Sequence, residues 1–201
     1  MKGSLIILAF FIVGLAGGIY HFFPEWLLNE NLTTYALFIL MFLVGVSIGS
    51  DKSAFYVLRK LNIKVLLVPL VVVIGSLVGT SVASILLSDI NVKEAMAVGA
   101  GFGYYSLSSI FIGQMHSQEL GVIALLSNIF REIITLLAVP LLVKYFGKLA
   151  GIASGGATAM DTTLPVIVKF TGKEYGIIAI FSGIVLTILV PILVTVILEL
   201  L

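Results

Sequence analysis

The chain has 201 residues, 60% of them apolar and 10% charged, with mean hydropathy +1.23, far from the roughly 25% charged content of soluble domains. Eleven Lys and Arg and ten Asp and Glu cannot cover the surface that a soluble chain of this length exposes, so the composition is that of a membrane protein. A net charge of +1 gives no electrostatic case for a nucleic acid partner, and the absence of cysteine removes disulfides, thiolate metal sites and cysteine nucleophiles.

A hydrocarbon core about 30 Å thick takes about 20 apolar residues per helix. The chain therefore reads as one all-α transmembrane domain over residues 1–201, a polytopic helical membrane protein of about seven membrane segments. The first is Leu5–Phe23; no small-x-small cleavage site follows it before Pro24 and Glu25, so it is read as a retained span rather than a signal peptide. Pro24–Leu32 contains Glu25 and Glu30 and no basic residue. The second segment, Thr33–Gly49, leads to the loop Asp51–Lys64 with Lys52, Arg59, Lys60 and Lys64. That asymmetry places the loop and the N-terminus in the cytoplasm.

The third segment is Val65–Leu87. The fourth, Ala95–Gly113, holds Gly99, Gly101, Gly103 and Gly113 around the run Tyr104-Tyr105-Ser106-Leu107-Ser108-Ser109. Gly99 and Gly103, four apart, suggest close packing of a small-xxx-small helix. The fifth, Leu120–Tyr145, has the length of a span but carries Asn128, Arg131 and Glu132 near its middle. The sixth, Leu149–Lys169, contains Gly151, Gly155, Gly156, Thr158, Asp161, Thr162, Thr163 and Pro165. The seventh is Ile177–Leu198. Segments so rich in Gly, Ser and Thr make poor lipid-facing helices, because irregular backbone at membrane depth survives only where protein or a watery cavity satisfies it. The fourth and sixth are therefore expected to be broken or re-entrant. Counting seven full crossings puts the C-terminus outside and places Lys144 and Lys148 on the outer side, against the charge rule. Pro69, Pro140 and Pro191 are expected to kink their helices.

A charged residue at the centre of a span costs roughly 2.5–3.5 kcal/mol on insertion scales, so the buried charges carry the information. Ala124, Asn128, Arg131 and Thr135 share one helix face, with Glu132 about 100° round from Arg131. This polar stripe must face the interior, either as an ion pair that orders the bundle or as a functional site. Asp161 lies where a helix break would free backbone amides and carbonyls, a place for an ion or substrate. There a carboxylate can hold a proton or a cationic ammonium but not both, the elementary requirement of exchange. Its plainer reading is an N-cap for the stretch that follows, helped by Thr162 and Thr163. Tyr104 and Tyr105 read as interface anchors or core rings, and Ser106, Ser108 and Ser109 as partners for backbone. His21 and His116 sit at segment ends, with no H-E-x-x-H and no G-x-S-x-G, which disfavours metal hydrolysis and acyl transfer. An aspartyl dyad has only Asp161 with Glu132 to draw on, and Arg131 beside the Glu favours its charged form.

The runs Gly101-Phe102-Gly103-Tyr104-Tyr105-Ser106-Leu107-Ser108, Leu126-Ser127-Asn128-Ile129-Phe130-Arg131-Glu132 and Gly155-Gly156-Ala157-Thr158-Ala159-Met160-Asp161-Thr162-Thr163-Leu164-Pro165-Val166, with Phe42-Leu43-Val44-Gly45 before them and a Gly183…Pro191 helix after, resemble the LysO-type lysine exporter family. The chain looks like the C-terminal two thirds of single-chain members. The family tends to have Trp-Tyr-Ser-Leu-Ser-Gly at Tyr104–Ser109 and Ser at Ala159; neither departure removes a charge. The resemblance implies export of L-lysine and its analogues across the prokaryotic cytoplasmic (inner) membrane, with no enzymatic activity, no cofactor and no metal. It places the family's important acid on Asp161, whereas a second acid lies in a part with no counterpart here. Proton antiport by alternating access is the expected mechanism. Asp161 would exchange a proton for the substrate ammonium; Arg131 would orient the substrate carboxylate or hold the empty acid; Glu132 would pair or relay. Asn128, Ser106, Tyr105, Thr158 and Thr162 complete the expected binding set. The expected partners are L-lysine, protons or another coupling ion, the lipid bilayer, and either a small membrane protein supplying the absent helices or a second copy of the chain. The rival readings are another ion-coupled carrier of amino acids or anionic metabolites, and a membrane scaffold whose buried charges are structural.

Overall fold

The computed structural model describes residues 63–87 and 89–200, with positions 12–14, 16–20, 22–24, 32, 35 and 39. The first two expected segments and the basic loop before Ile63 therefore lie largely outside the described residues. A 3-10 turn, Ile63–Leu66, leads into α1, Leu67–Ser84. Then come α2 (Val92–Gly99), α3 (Tyr105–Met115), α4 (Gln118–Phe146), α5 (Lys148–Gly155), a 3-10 turn (Gly156–Met160), α6 (Leu164–Thr171) and α7 (Lys173–Leu200). No strand occurs among the described residues, so the fold is all-helical. Three of these helices, α1, α4 and α7, are long and apolar enough to cross a membrane.

The fourth and sixth expected segments are both interrupted, and both turn back. The first of them is two helices of eight and eleven residues, about 12 and 16 Å long, each near half the hydrocarbon thickness. Asn91 and Glu94 form a reciprocal capping box that starts α2. The same Glu94 carboxylate meets the His116 Nε2 at the end of α3 at 2.7 Å. The segment thus leaves on the side it entered, as a re-entrant hairpin. The backbone N–H of Asn91 and the His116 ring hold Glu94 below the usual carboxylate range, against the opposing effect of partial burial. Its contribution is present at neutral pH, above the ordinary carboxylate value, and is lost as the pH falls through the lowered one.

The second hairpin, α5 with α6, closes in the same way. A Cβ added at Gly151 near the start of α5 would touch Thr171 at the end of α6 at 3.7 Å. Lys148 Nζ also sits 4.9 Å from the centre of the Tyr175 ring at the start of α7. Between the hairpins, α4 runs from Ser117, whose side chain accepts the Leu120 N–H, to Gly147 with φ 88°. With 29 residues and about 43 Å of length it spans the hydrocarbon, so the two hairpins enter from opposite sides. α7 then returns towards the mouth of hairpin 1, where Thr195 lies 3.7 Å from Met115 Sδ. The order is helix, hairpin, helix, hairpin, helix, with the second helix and hairpin inverted in direction relative to the first.

This corrects the placement of Lys144 and Lys148 on the outer side. Because hairpin 1 adds no crossing, α1 and α4 return the chain to the side of Lys64, where Lys144, Lys148 and Lys169 gather. Asp89, Glu94 and Glu119 lie at the other end. Two smaller expectations also change. Pro69 falls in the first turn of α1, where a missing N–H costs little, whereas Pro140 and Pro191 are inside α4 and α7. Gly99 and Gly103 do not share a helix face, since α2 ends at Gly99. Gly99 instead meets Thr80 of α1, whose Oγ1 would lie 2.5 Å from an added Cβ.

One apolar cluster, including Phe102, Leu107, Ile112, Ala124, Leu186 and Val190, packs hairpin 1 against α4 and α7. A second, including Val68, Val139, Ile152, Ala159, Ile167 and Ala179, does the same for hairpin 2. The outward faces are apolar too: Leu70, Ile74 and Val78 of α1, and Leu137 and Leu141 of α4, are exposed at helical spacing, as lipid-facing surfaces require. Small residues set the closest approaches; a Cβ at Gly121 of α4 would come within 2.9 Å of Gly113 Cα on α3. The absence of native cysteine allows a direct check. Single cysteines at Asp89 and Ser117 are expected to react with an impermeant maleimide from one side, and those at Lys148 and Glu174 from the other. Labelling of Asp89→Cys and Ser117→Cys from opposite sides would show that hairpin 1 is a full crossing.

Candidate substrate and ion site

The two hairpin tips meet at mid-depth. At the first, Phe102 and Gly103 take φ 47° and 96°, and at the second Gly156 takes φ 60°; left-handed backbone of this kind suits glycine and is rare for phenylalanine. The Ala157 N–H donates to the Phe102 carbonyl at 2.8 Å, joining the tips through main chain alone. A Cβ at Gly156 would fall 2.2 Å from that same carbonyl.

α4 passes beside both tips and satisfies their loose ends. Asn128, buried, accepts the Gly103 N–H at 2.7 Å and donates to the Ala124 carbonyl at 2.8 Å and to Ser108 Oγ at 3.4 Å. Arg131, one turn further, reaches from α4 to two other elements, α5 and α1. Its Nε donates to the Ser154 carbonyl at 3.1 Å, and its two terminal nitrogens donate to the Ala153 carbonyl at 3.1 Å and to Ser76 Oγ of α1 at 2.9 Å. Those carbonyls belong to the last turn of α5, where a helix leaves carbonyls unpaired and a cation is favoured. Glu132 is 1% exposed, so both sides of the α4 polar stripe face the interior.

Thr158 donates to the Gly155 carbonyl at 2.8 Å and lies 3.3 Å from Thr163 Oγ1, knitting tip 2 to itself. Asp161 ends the 3-10 turn and is exposed among the described residues. Its carboxylate accepts the N–H of the next residue, Thr162. It lies within electrostatic reach of Tyr104 on hairpin 1 and of Glu132 on α4. The N-cap reading of Asp161 is overturned: Thr163 precedes α6 without a side-chain cap, and Pro165 fills the first turn. Thr162 Oγ1 is buried beside the carboxylate. Tyr105 packs with Leu125 and Ile129, and Ser106 is half-buried in the first turn of α3.

The structure thus gathers Asn128, Arg131 and Thr158 around the tips, with Asp161 and Thr162 at the end of the second. Sequence reading missed Ser76, a polar residue between Gly75 and Gly79 on a mostly apolar helix, whereas Ser108, expected to partner backbone, donates to the Tyr104 carbonyl at 3.0 Å. No cluster of metal-ligating side chains occurs among the described residues.

Long apolar helices with two opposed re-entrant hairpins between them define an integral membrane protein. Residues 8–198 match the family described as lysine exporter LysO, and the chain belongs to that family. It is 34% identical over 160 residues to the protein named lysine exporter LysO of Escherichia coli (strain K12), covering 80% of this chain and 52% of that protein. It is 34% identical over 170 residues to a putative lysine exporter of Haemophilus influenzae, covering 84% of this chain and 86% of that protein. The chain therefore spans about half the length of the first relative and most of the second. No solved structure matches.

The tip junction yields a stability prediction. Gly156→Ala forces a Cβ into the Phe102 carbonyl at positive φ and is expected to cost about 2–4 kcal/mol, read as a lowered melting temperature in detergent. Gly79→Ala, where an added Cβ meets nothing within 4 Å, is expected to leave it unchanged or slightly raised. Equal melting temperatures for the two variants would refute the tip contact.

Proposed function

We propose that this protein exports L-lysine across the prokaryotic inner membrane in exchange for protons, with Asp161 as the exchanging group. The observation that carries the reading is the place of that carboxylate: at mid-depth, accessible, and on a broken tip pressed against a second tip from the opposite side. A carboxylate there holds one positive charge at a time. Binding a substrate ammonium releases the proton, and rebinding a proton releases the substrate, so the site crosses the membrane without a net buried charge. The names of both relatives, a lysine exporter and a putative lysine exporter, support lysine as the exported solute.

The inverted hairpins support alternating access. Hairpin 1 separates the tip junction from the acidic end and hairpin 2 from the basic end, so withdrawal of either exposes Asp161 to one side only. The basic end, with Lys64, Lys144, Lys148 and Lys169, is cytoplasmic by the charge rule, which puts the N-terminus inside and the acidic mouth outside. Thr162 and Ser106 offer hydrogen bonds near the carboxylate, Thr158 and Asn128 hold the tips in shape, Tyr105 supports hairpin 1 on α4, and Glu132 relays or balances charge with Asp161.

The test is counterflow of labelled lysine in vesicles containing the chain, alone and with a second copy or a small membrane protein encoded beside it. Asp161→Asn is expected to reduce exchange to background while elution and melting temperature stay unchanged. Normal exchange by that variant would remove Asp161 from the mechanism.

A further inference from the structure

The cavities flanking Arg131 lie between α1 and α4 at the level of the tips. The larger has a volume of about 770 Å³ and is lined by Val71, Ser76, Ser127, Phe130, Arg131 and Thr135 among others. A smaller one of about 260 Å³ shares Gly75, Ser76, Ser127 and Arg131 with it. The larger is an open groove, mostly apolar with a few polar groups converging on Arg131. Gly75 opens it, since an added Cβ there would meet nothing within 4 Å.

The charge in this groove is not neutralised. A guanidinium has five N–H donors, and Arg131 uses three, on two carbonyls and a hydroxyl that carry only partial charge. The ion pair between His116 and Glu94 lies at the mouth of hairpin 1, away from this groove. Nor do the chain's other apolar runs hold a candidate: Leu5–Phe23 and Thr33–Gly49 contain no Asp or Glu. A buried cation at membrane depth calls for an anion, and a planar fork with two donors remaining matches a carboxylate. Ser76 Oγ accepts one guanidinium N–H and so fixes the plane of the fork, while Ser127 stands exposed on the adjoining wall.

We propose that Arg131, held by Ser76, is the specificity-determining residue of a carboxylate subsite in the groove between α1 and α4, which receives the α-carboxylate of the exported amino acid. This deepens the lysine export reading and rests on it. The subsite makes the free carboxylate a condition of binding, so that a diamine of the same length is rejected even though both its ammonium groups suit Asp161.

The experiment is thermal stabilisation of the purified full chain by lysine, by norleucine, which keeps the carboxylate and lacks the side-chain ammonium, and by 1,5-diaminopentane, which lacks the carboxylate. The native chain is expected to prefer lysine over the diamine by about tenfold or more, the effect of a charge-assisted hydrogen bond. Arg131→Gln is expected to abolish that preference, and Ser76→Ala, a milder change that spares the guanidinium, to weaken it. Equal stabilisation by lysine and the diamine, or an unchanged preference in Arg131→Gln and Ser76→Ala, would overturn the subsite. Stabilisation by norleucine but not lysine, dependent on Arg131, would leave the subsite standing and remove lysine as substrate. Equal effects of lysine and the diamine, both lost in Asp161→Asn, would do the reverse. No effect of any of the three would overturn both.

Discussion

Backbone polar groups have no water to bind in the hydrocarbon core, and this constraint organises the whole molecule. Each hairpin breaks a helix at mid-depth and leaves amides and carbonyls without helical partners. They are satisfied by one another and by α4: Ala157 bonds to Phe102, Asn128 takes the Gly103 amide, and Arg131 takes the Ala153 and Ser154 carbonyls. The breaks are tolerable because they occur at the same depth and face each other. Neither hairpin tip could remain where it is without the other, or without the polar stripe of α4 running past both.

The same arrangement concentrates chemistry. Satisfying the breaks requires a helix with an amide and a guanidinium at its centre, and the breaks in turn create the place where a carboxylate, Asp161, is accessible at mid-depth. Asn128 and Arg131 hold the tips in shape, so a variant of either disturbs the junction directly. Asp161 differs in that its carboxylate accepts the N–H of the adjacent Thr162 and takes no part in the main-chain bond that joins the two tips.

Much of this was legible in the sequence because it rests on local chemistry. Hydrophobic length marked α1, α4 and α7, and the Gly, Ser and Thr content of the two remaining segments marked their breaks. The interior direction of Asn128, Arg131 and Glu132 followed from helical spacing. What was not legible depends on contacts between distant residues. Whether Ala95–Gly113 crosses or returns is decided by Glu94 meeting His116, and a count of apolar residues is blind to that contact. The small-xxx-small reading of Gly99 and Gly103 failed because the chain turns between them. Ser76 was missed because its partner, Arg131, is 55 positions away. The two apolar segments before Ile63 lie largely outside the described residues.

The hairpins also bear on how the protein is made. Helices of about 12 and 16 Å are too short to settle in a bilayer alone, and the core that covers hairpin 1 includes Leu186, Val190 and Val194 of α7. Thr195 and Met115, which meet at the mouth of that hairpin, are 80 positions apart in the chain. At ribosomal speed that separation is on the order of ten seconds. Throughout that interval hairpin 1 lacks part of its cover, so α7, made after both hairpins, is the helix that closes the bundle around the first break.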